Sequence, residues 1–327
     1  MSEASLQAGP DVATPARTNI GLLQRFEWLR GYLLMTPTIV VMLALLIAPI
    51  MSLVVQSFWT QHGFELDKTF TLHNYWSLIA PGDKTVYWSG IPFPLKNPAY
   101  AIVVMKSLFI SLGATVAVIL VAYPMAYFMA FRVTRHKVLW LIFITVPFWT
   151  SYLLRVFAWK IILGYNGVIN AGLISLGVID KPLEFLLYNP LAVAITLAHA
   201  WAAYAIFPIY VSLEKIDRSL LEAATDLGDT PVERFFHITL PLSAPGLIAT
   251  TLLVFIPTVG DFVTPSLVGG PSGIMVGNMI QTLFGQRNDA PLGSALSLVV
   301  MGLVTALVCL FLWLVGYGKI RKREAVA

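Results

Sequence analysis

The sequence is short of charge and almost without cysteine. Asp, Glu, Lys and Arg make up 12% of its 327 residues, against about 25% in an ordinary soluble domain. That leaves too little polar surface to clothe a water-soluble globule of this size. The apolar residues, 57% of the chain, therefore need lipid as their solvent. The single cysteine, Cys309, excludes a disulfide framework and a cysteine-based metal site. Inside its apolar run it reads as a small core or lipid-facing residue. No Gly-rich loop is followed by Gly-Lys-Ser/Thr, so the chain lacks the phosphate loop needed to hydrolyse ATP. The five histidines, His62, His73, His136, His199 and His237, fall at no metal-ligand spacing, and no acid, base and nucleophile cluster suggests an enzyme. His199, within an apolar stretch, reads as a helix-packing residue. A signal peptide is missing too: Met1–Ile20 has no long apolar block, and the first hydrophobic run is too long and lacks a clear small-residue cleavage site.

What is present is a set of long apolar stretches. A helix needs ~20 apolar residues to cross the hydrocarbon core, and six stretches qualify: Gly31–Phe58, Ala101–Phe131, Val138–Ile161, Pro190–Leu213, Gly246–Val268 and Ala295–Tyr317. The expected fold class is an all-α polytopic membrane protein with about six transmembrane helices. Residues 1–30 form a tail, 31–317 the transmembrane domain and 318–327 a basic tail. Within Asn19–Arg30, Leu22, Leu23, Phe26 and Leu29 share one helical face beside Arg25 and Arg30. An interfacial elbow helix and a frayed leader are both open readings of it.

Orientation follows from basic residues. With the N-terminus inside, thirteen Lys and Arg lie on cytoplasmic segments and six on outer ones; Lys106 and Arg155, within spans, complete the 21. The basic side faces the cytoplasm, so both termini are expected inside. Trp76, Trp88, Tyr100, Trp159 and Tyr188 sit near the outer boundary as an interfacial belt would. The long outer loop Thr60–Pro98 is expected to hold short ordered pieces, and Ile274–Phe284 a short helix lying along or dipping into the outer surface. There is no internal repeat and no low-complexity tract.

The segment 214–241, between the fourth and fifth spans, carries the most information. Ser219 can cap a helix, with Glu222 three residues on completing a capping box. Ala223 and Ala224 favour a narrow helix, and Gly228 ends it where a left-handed residue is needed. Asp229, Thr230 and Pro231 begin a second short helix with proline in its first turn, which Leu240-Pro241 is expected to stop. Two capped helices with mixed charged and apolar faces suit a partner groove; from these residues alone, a docking element and a solvated connector are equally open.

Glu222-Ala223-Ala224, three residues, Gly228, nine residues, Ile238, one residue, Leu240-Pro241 resembles, position for position, the EAA loop of ATP-binding-cassette importer permeases. The six-span reading agrees with their type I fold. The resemblance implies that Glu222, Ala223, Ala224, Gly228, Ile238, Leu240 and Pro241 dock the ATPase, the first short helix acting as a coupling helix in an ATPase cleft. It continues in Phe70-Thr71-Leu72-His73-Asn74-Tyr75, Ser151-Tyr152-Leu153-Leu154-Arg155, Phe255–Pro265, Leu267-Val268-Gly269-Gly270 and Gly277-Asn278-Met279-Ile280-Gln281, which are similar to the spermidine/putrescine permease branch, first permease. The partners it implies are an ATPase dimer, a second permease subunit, a periplasmic solute-binding protein and the lipid bilayer of a bacterial inner membrane, with no nucleic acid. It implies no cofactor. Selectivity in this class resides largely in the binding protein, so relatives handle other small organic cations and related solutes. The rival reading is an ATP-independent secondary transporter or channel, which has no need of the Glu222–Pro241 spacing.

Charges inside spans cost at least about 2.5–3.5 kcal/mol near a helix centre. Lys106, near the outer end of the second span, can snorkel or anchor at the interface. Arg155 and Asp261 lie about fifteen to seventeen residues from the cytoplasmic starts of their spans and so reach a similar depth in the outer half. Two readings are open: they pair and hold an outer gate, or Asp261 faces the pathway and attracts a cationic solute. Pro257, Gly260 and Pro265 bracket Asp261, so this span is expected to be kinked or unwound, as at many transport sites. Trp201 and Tyr204 either pack the fourth span or offer cation–π contacts to an ammonium group.

Overall fold

The structure is a computed structural model and describes residues 27–324. The expected elbow over Asn19–Arg30 therefore lies outside the described residues but for its last few, which are already helical. Two units are distinguished, Met1–Ser52 and Leu53–Ala327. The described part of the first is the body of helix α1 (Glu27–Ser57), which accommodates Pro37 and Pro49.

The second unit begins at Leu53, within the last turns of that helix. It contains a hairpin of β1 (Thr60–His62) and β2 (Glu65–Asp67), a short helix α2 (His73–Ile79), and a second antiparallel hairpin of β3 (Pro81–Trp88) and β4 (Ile91–Leu95). The expected ordered pieces are thus present. Buried Asn74 pins α2 by donating to the carbonyls of Ser57 at 2.9 Å and Trp59 at 2.7 Å.

The long helices come next. These are α3 (Pro98–Phe131), α4 (Lys137–Thr145), α5 (Tyr152–Leu163), α6 (Val168–Ser175), α7 (Pro190–Glu214), the short α8 (Arg218–Asp226) and α9 (Pro231–Arg234), then α10 (Leu240–Val259), α11 (Val276–Gly285) and α12 (Ala290–Glu324). Among the described residues, six helical stretches are long and apolar enough to cross a membrane.

Helices α3, α7 and α10 make the centre. Between lipid-bathed helices, burial from water supplies no driving force, so close packing and hydrogen bonds must hold them. The residues fit that need: the buried faces are small, with Ser107, Ser111, Ala114, Ala122 and Ala126 on α3 and Ala192, Thr196, Ala200 and Ala203 on α7. Gly246 of α10 lies so close to α7 that a Cβ there would sit 2.6 Å from both the Pro208 carbonyl oxygen and Ser212 Cβ. Thr250 Oγ1 donates to the Ala205 carbonyl at 3.1 Å, and the Tyr123 hydroxyl meets Ser243 Oγ at 2.8 Å. Large side chains turn outward instead: Leu120, Phe128, Leu310 and Leu314 are half exposed or more, as lipid-facing residues are. Cys309 is exposed on α12 as well.

Two spans differ from expectation. Val138–Ile161 is not one helix. After α4 and a 3-10 turn over Val146–Trp149, Thr150 and Ser151 are extended, and α5 starts afresh at Tyr152. Pro147 has no N–H to continue the α-helical ladder, and the chain leaves it through a tighter turn. The third candidate crossing is accordingly Tyr152–Ser175. The fifth span starts earlier than expected and, as expected, is broken near Asp261: α10 ends at Val259, and a π turn over Pro265–Gly269 comes after it.

Candidate functional site

Two regions of the second unit carry chemistry: the 214–241 loop, and a cavity at the breaks in the third and fifth spans.

In the loop, the cap of α8 is Asp217 and not Ser219. The Asp217 carboxylate accepts the Ser219 N–H at 3.0 Å, which holds its pKa below the usual aspartate value. Ser219 lies two residues past the cap position, already inside the helix, so the Ser219–Glu222 capping box does not form. Gly228 ends α8 at φ +96°. A Cβ there would meet nothing within 4 Å, so its need for glycine within this chain is purely one of backbone. The capping box forms in the second short helix, where Glu233 N–H donates to Thr230 Oγ1 at 3.3 Å and Thr230 N–H to Glu233 Oε2 at 2.8 Å. Arg234 bonds Thr225 Oγ1 at 2.7 Å, and His237 lies 3.2 Å from Asp229. These contacts tie the two short helices into one body.

Leu240-Pro241 does not stop the second helix. The chain runs from α9 through a π turn, Phe235–Thr239, straight into α10. Pro241 has no N–H, and the widened turn, closed by Leu240 N–H bonding the Phe235 carbonyl, lets the helix pass a proline in its first turn. Phe235 is seated on the core against Tyr123, ring centroids 5.7 Å apart. Of the seven expected docking residues, Glu222, Ala223, Gly228 and Pro241 are exposed, Ile238 and Leu240 half-buried, and Ala224 buried. Ala224 therefore packs α8 down and leaves its neighbours facing out. Beside them stand exposed Leu227, Val232 and Phe236, an apolar patch that the motif spacing did not indicate.

The second region is a cavity of about 330 Å³ whose lining includes Arg155, Trp201, Tyr204 and Asp261. Four residues from three separate stretches, all singled out in the sequence, thus meet at one place. Of the two readings left open for Arg155 and Asp261, direct pairing is not the arrangement in the structure: the two form no ion pair, and both line the cavity. Arg155 donates to the Phe148 carbonyl at 2.7 Å and the Thr150 carbonyl at 3.2 Å. Both acceptors lie in the break of the third span, and the guanidinium bridges them. Its charge also lies over the Phe148 ring, 5.2 Å from the centroid. Asp261 accepts the Val263 N–H at 2.9 Å and the Tyr152 hydroxyl, and that hydroxyl also lies 2.7 Å from Thr264 Oγ1. Two buried donors, Arg155 Nε and Trp201 Nε1, have no partner.

The segment after the break packs back against it. The expected helix over Ile274–Phe284 is α11, with Val276, Gly277 and Leu283 buried. A Cβ on Gly277 would fall 2.6 Å from the Gly260 carbonyl oxygen and 2.7 Å from that of Asp261. Asn278 donates to the Phe262 carbonyl at 2.8 Å and to Ser266 Oγ at 2.6 Å, tying α11 to the segment just past the break. Lys106, expected to snorkel or anchor, donates to the Ser272 carbonyl at 3.0 Å. His199 packs its ring 5.4 Å from Trp159, as its helix-packing reading has it. Sequence reasoning missed Tyr152, Asn278 and Gly277 as parts of the site, because only the folded chain brings them to Asp261.

The sequence pattern of the family described as "Binding-protein-dependent transport system inner membrane component" matches residues 28–318. The chain is similar to the spermidine/putrescine transport system permease protein PotB of Haemophilus influenzae, 39% identical over 66% of this chain and 76% of that protein. To PotB of Escherichia coli it is 36% identical over 78% of this chain and 88% of the relative. The inner membrane ABC transporter permease protein YdcU of Escherichia coli is 29% identical over 89% of this chain and 93% of its own. Among solved structures, a bacterial alginate ABC transporter in complex with an alginate pentasaccharide-bound periplasmic protein contains a chain of like fold. Its TM-score is 0.64 at 16% identity, over 88% of this chain and 93% of that one.

Proposed function

The chain belongs to the family of binding-protein-dependent transport system inner membrane components, and from that premise we propose that it is the membrane half-channel of an ATP-driven importer of polyamines or a related small organic cation. As a multi-pass inner-membrane permease it works with other transporter components. In this proposal they are an ATPase dimer at the 214–241 loop, a second and different permease subunit, and a periplasmic binding protein at the outer loops. Both termini face the cytoplasm.

The observation that carries the reading is the continuity of loop and span. From Leu240 to Val259 one helix joins the docking loop to the break beside Asp261, a rise of about 30 Å. A push on α8 and α9 is passed through the Phe235 π turn into a helix whose far end lines the cavity. ATP-driven closure of the ATPases would thus move Pro257, Gly260 and Asp261 without any chemistry in this chain. The rival, a carrier working without ATP, has no use for an exposed, capped helix pair at the end of that lever. The solute class is supported by the names of the relatives and by the cavity itself, where a carboxylate lies beside the aromatic faces of Trp201 and Tyr204, a combination suited to an ammonium group.

The test is reconstitution of the chain with its ATPase, second permease and binding protein in proteoliposomes. ATP-dependent uptake of labelled spermidine or putrescine is the expected outcome. Uptake that proceeds without ATP, or association with no ATPase, would overturn the ATP-driven reading; ATP-dependent uptake of another solute alone would overturn the polyamine assignment.

A further inference from the structure

The two broken spans meet at one hydroxyl. Tyr152 is the first residue of α5, just past the extended Thr150–Ser151 break. Its hydroxyl donates to Asp261 Oδ2 in the break of the fifth span. The other carboxylate oxygen accepts the Val263 N–H. Both oxygens therefore accept a hydrogen bond inside the protein, which takes up part of the carboxylate's capacity for a cation.

The two bonds differ in the cost of breaking them. Loss of the Val263 bond strands a backbone donor at the start of a helical turn. Loss of the Tyr152 bond strands no donor, because the hydroxyl already lies 2.7 Å from a second acceptor, Thr264 Oγ1, and it bares a carboxylate oxygen that an arriving ammonium can take. The Tyr152 contact is the one that yields cheaply. Arg155 keeps the ring in register: its guanidinium, fixed on two carbonyls of the third-span break, lies 6.0 Å from the Tyr152 ring centroid.

We propose that Tyr152 is the latch of the pathway. In the solute-free permease its hydroxyl joins the break of the third span to that of the fifth and covers the Asp261 carboxylate. An organic ammonium arriving in the cavity takes the hydroxyl's place, and the two breaks are then free to part. The proposal rests on reading the cavity as the solute pathway.

Tyr152→Phe removes one oxygen and leaves the ring, so packing is retained. The full complex in proteoliposomes is assayed for ATP hydrolysis without solute-loaded binding protein, and for solute uptake. A charge-assisted hydrogen bond present in only one of two states holds that equilibrium by about tenfold. Solute-free hydrolysis by Tyr152→Phe is expected to rise by about that factor. Adding Asp261→Asn to it should change solute-free hydrolysis no further, because the contact is already gone. Unchanged solute-free hydrolysis, or additive effects of the two substitutions, would overturn the latch. Uptake by Asp261→Asn separates the two readings. If that uptake is lost while Tyr152→Phe hydrolyses ATP like the wild type, the latch is wrong and the pathway stands. If Asp261→Asn transports normally, the pathway reading fails and the latch with it.

Discussion

Single residues here do one of two jobs: they close gaps that broken helices leave in the backbone, or they present chemistry to something outside the chain. Arg155, which looks from its position in an apolar stretch like a partner for Asp261, belongs to the first group. It is spent on the Phe148 and Thr150 carbonyls. Asp217 belongs there too. Its substitution by alanine is expected to fray α8, read as faster amide hydrogen exchange over residues 218–226, whereas Ser219→Ala leaves exchange unchanged because the Ser219 side chain caps nothing. The pH dependence has a definite sign. The folded-state pKa of Asp217 is depressed, so its cap is fully present above the unfolded value of about 4 and is lost as pH falls through the lower folded value. Exchange over α8 should therefore be flat from pH 8 to 5, apart from intrinsic amide chemistry, and rise only in stronger acid. Asp261 faces both ways, capping Val263 while lining the cavity. Asp261→Asn is expected to abolish uptake while the complex still assembles, checked by transport beside co-purification of the subunits.

At the scale of elements, the loop and the fifth span form one working piece. Gly228 sits at its tip in a conformation that costs a side-chain-bearing residue about 1–2 kcal/mol, with no clash inside the chain. Gly228→Ala is then expected to weaken ATPase association mildly. Gly228→Asp, which adds both bulk and charge at an exposed contact, should abolish uptake while the permease remains inserted. Pull-down of the ATPase with each variant, alongside membrane fractionation, checks this. The α7–α10 contact behaves differently, since a Cβ on Gly246 meets backbone at 2.6 Å. Gly246→Val should force the helices apart and destabilise the second unit by about 1–3 kcal/mol, lowering the thermal midpoint of the detergent-solubilised chain. Much of this element scale was legible in sequence. The break near Asp261 was announced by Pro257, Gly260 and Pro265, and the glycine end of α8 by Gly228. The passage of the helix through Pro241 was not, because a proline in a first turn and a proline that ends a helix look alike until the preceding π turn is seen. The break at Thr150–Ser151 was hidden likewise: Pro147 stands in the sequence, but a proline that a helix accommodates, as α1 does Pro49, and one at which it breaks look alike there.

Across the whole molecule, composition and periodicity settled the class. A chain with 12% charged residues and six apolar stretches has few places to fold other than a bilayer. The resemblance of the loop spacing to a known motif tied those stretches to a transport family; of the loop's local demands, the left-handed glycine was read rightly and the cap at Ser219 was not. Local chemistry and hydropathy are written along the chain, and so they could be read from it. Three things required the tertiary structure. It brought Arg155, Trp201, Tyr204 and Asp261 to one cavity but gave Arg155 to backbone carbonyls and Asp261 to Tyr152. It buried Ala224 while leaving Glu222 and Gly228 exposed. It also made the loop and the cavity the two ends of a single helix. The Tyr152–Asp261 contact spans more than a hundred residues of chain and the burial of Ala224 depends on what packs against α8, while the carbonyls that take Arg155 and the helix that passes Pro241 depend on backbone turns; spacing along a sequence records neither.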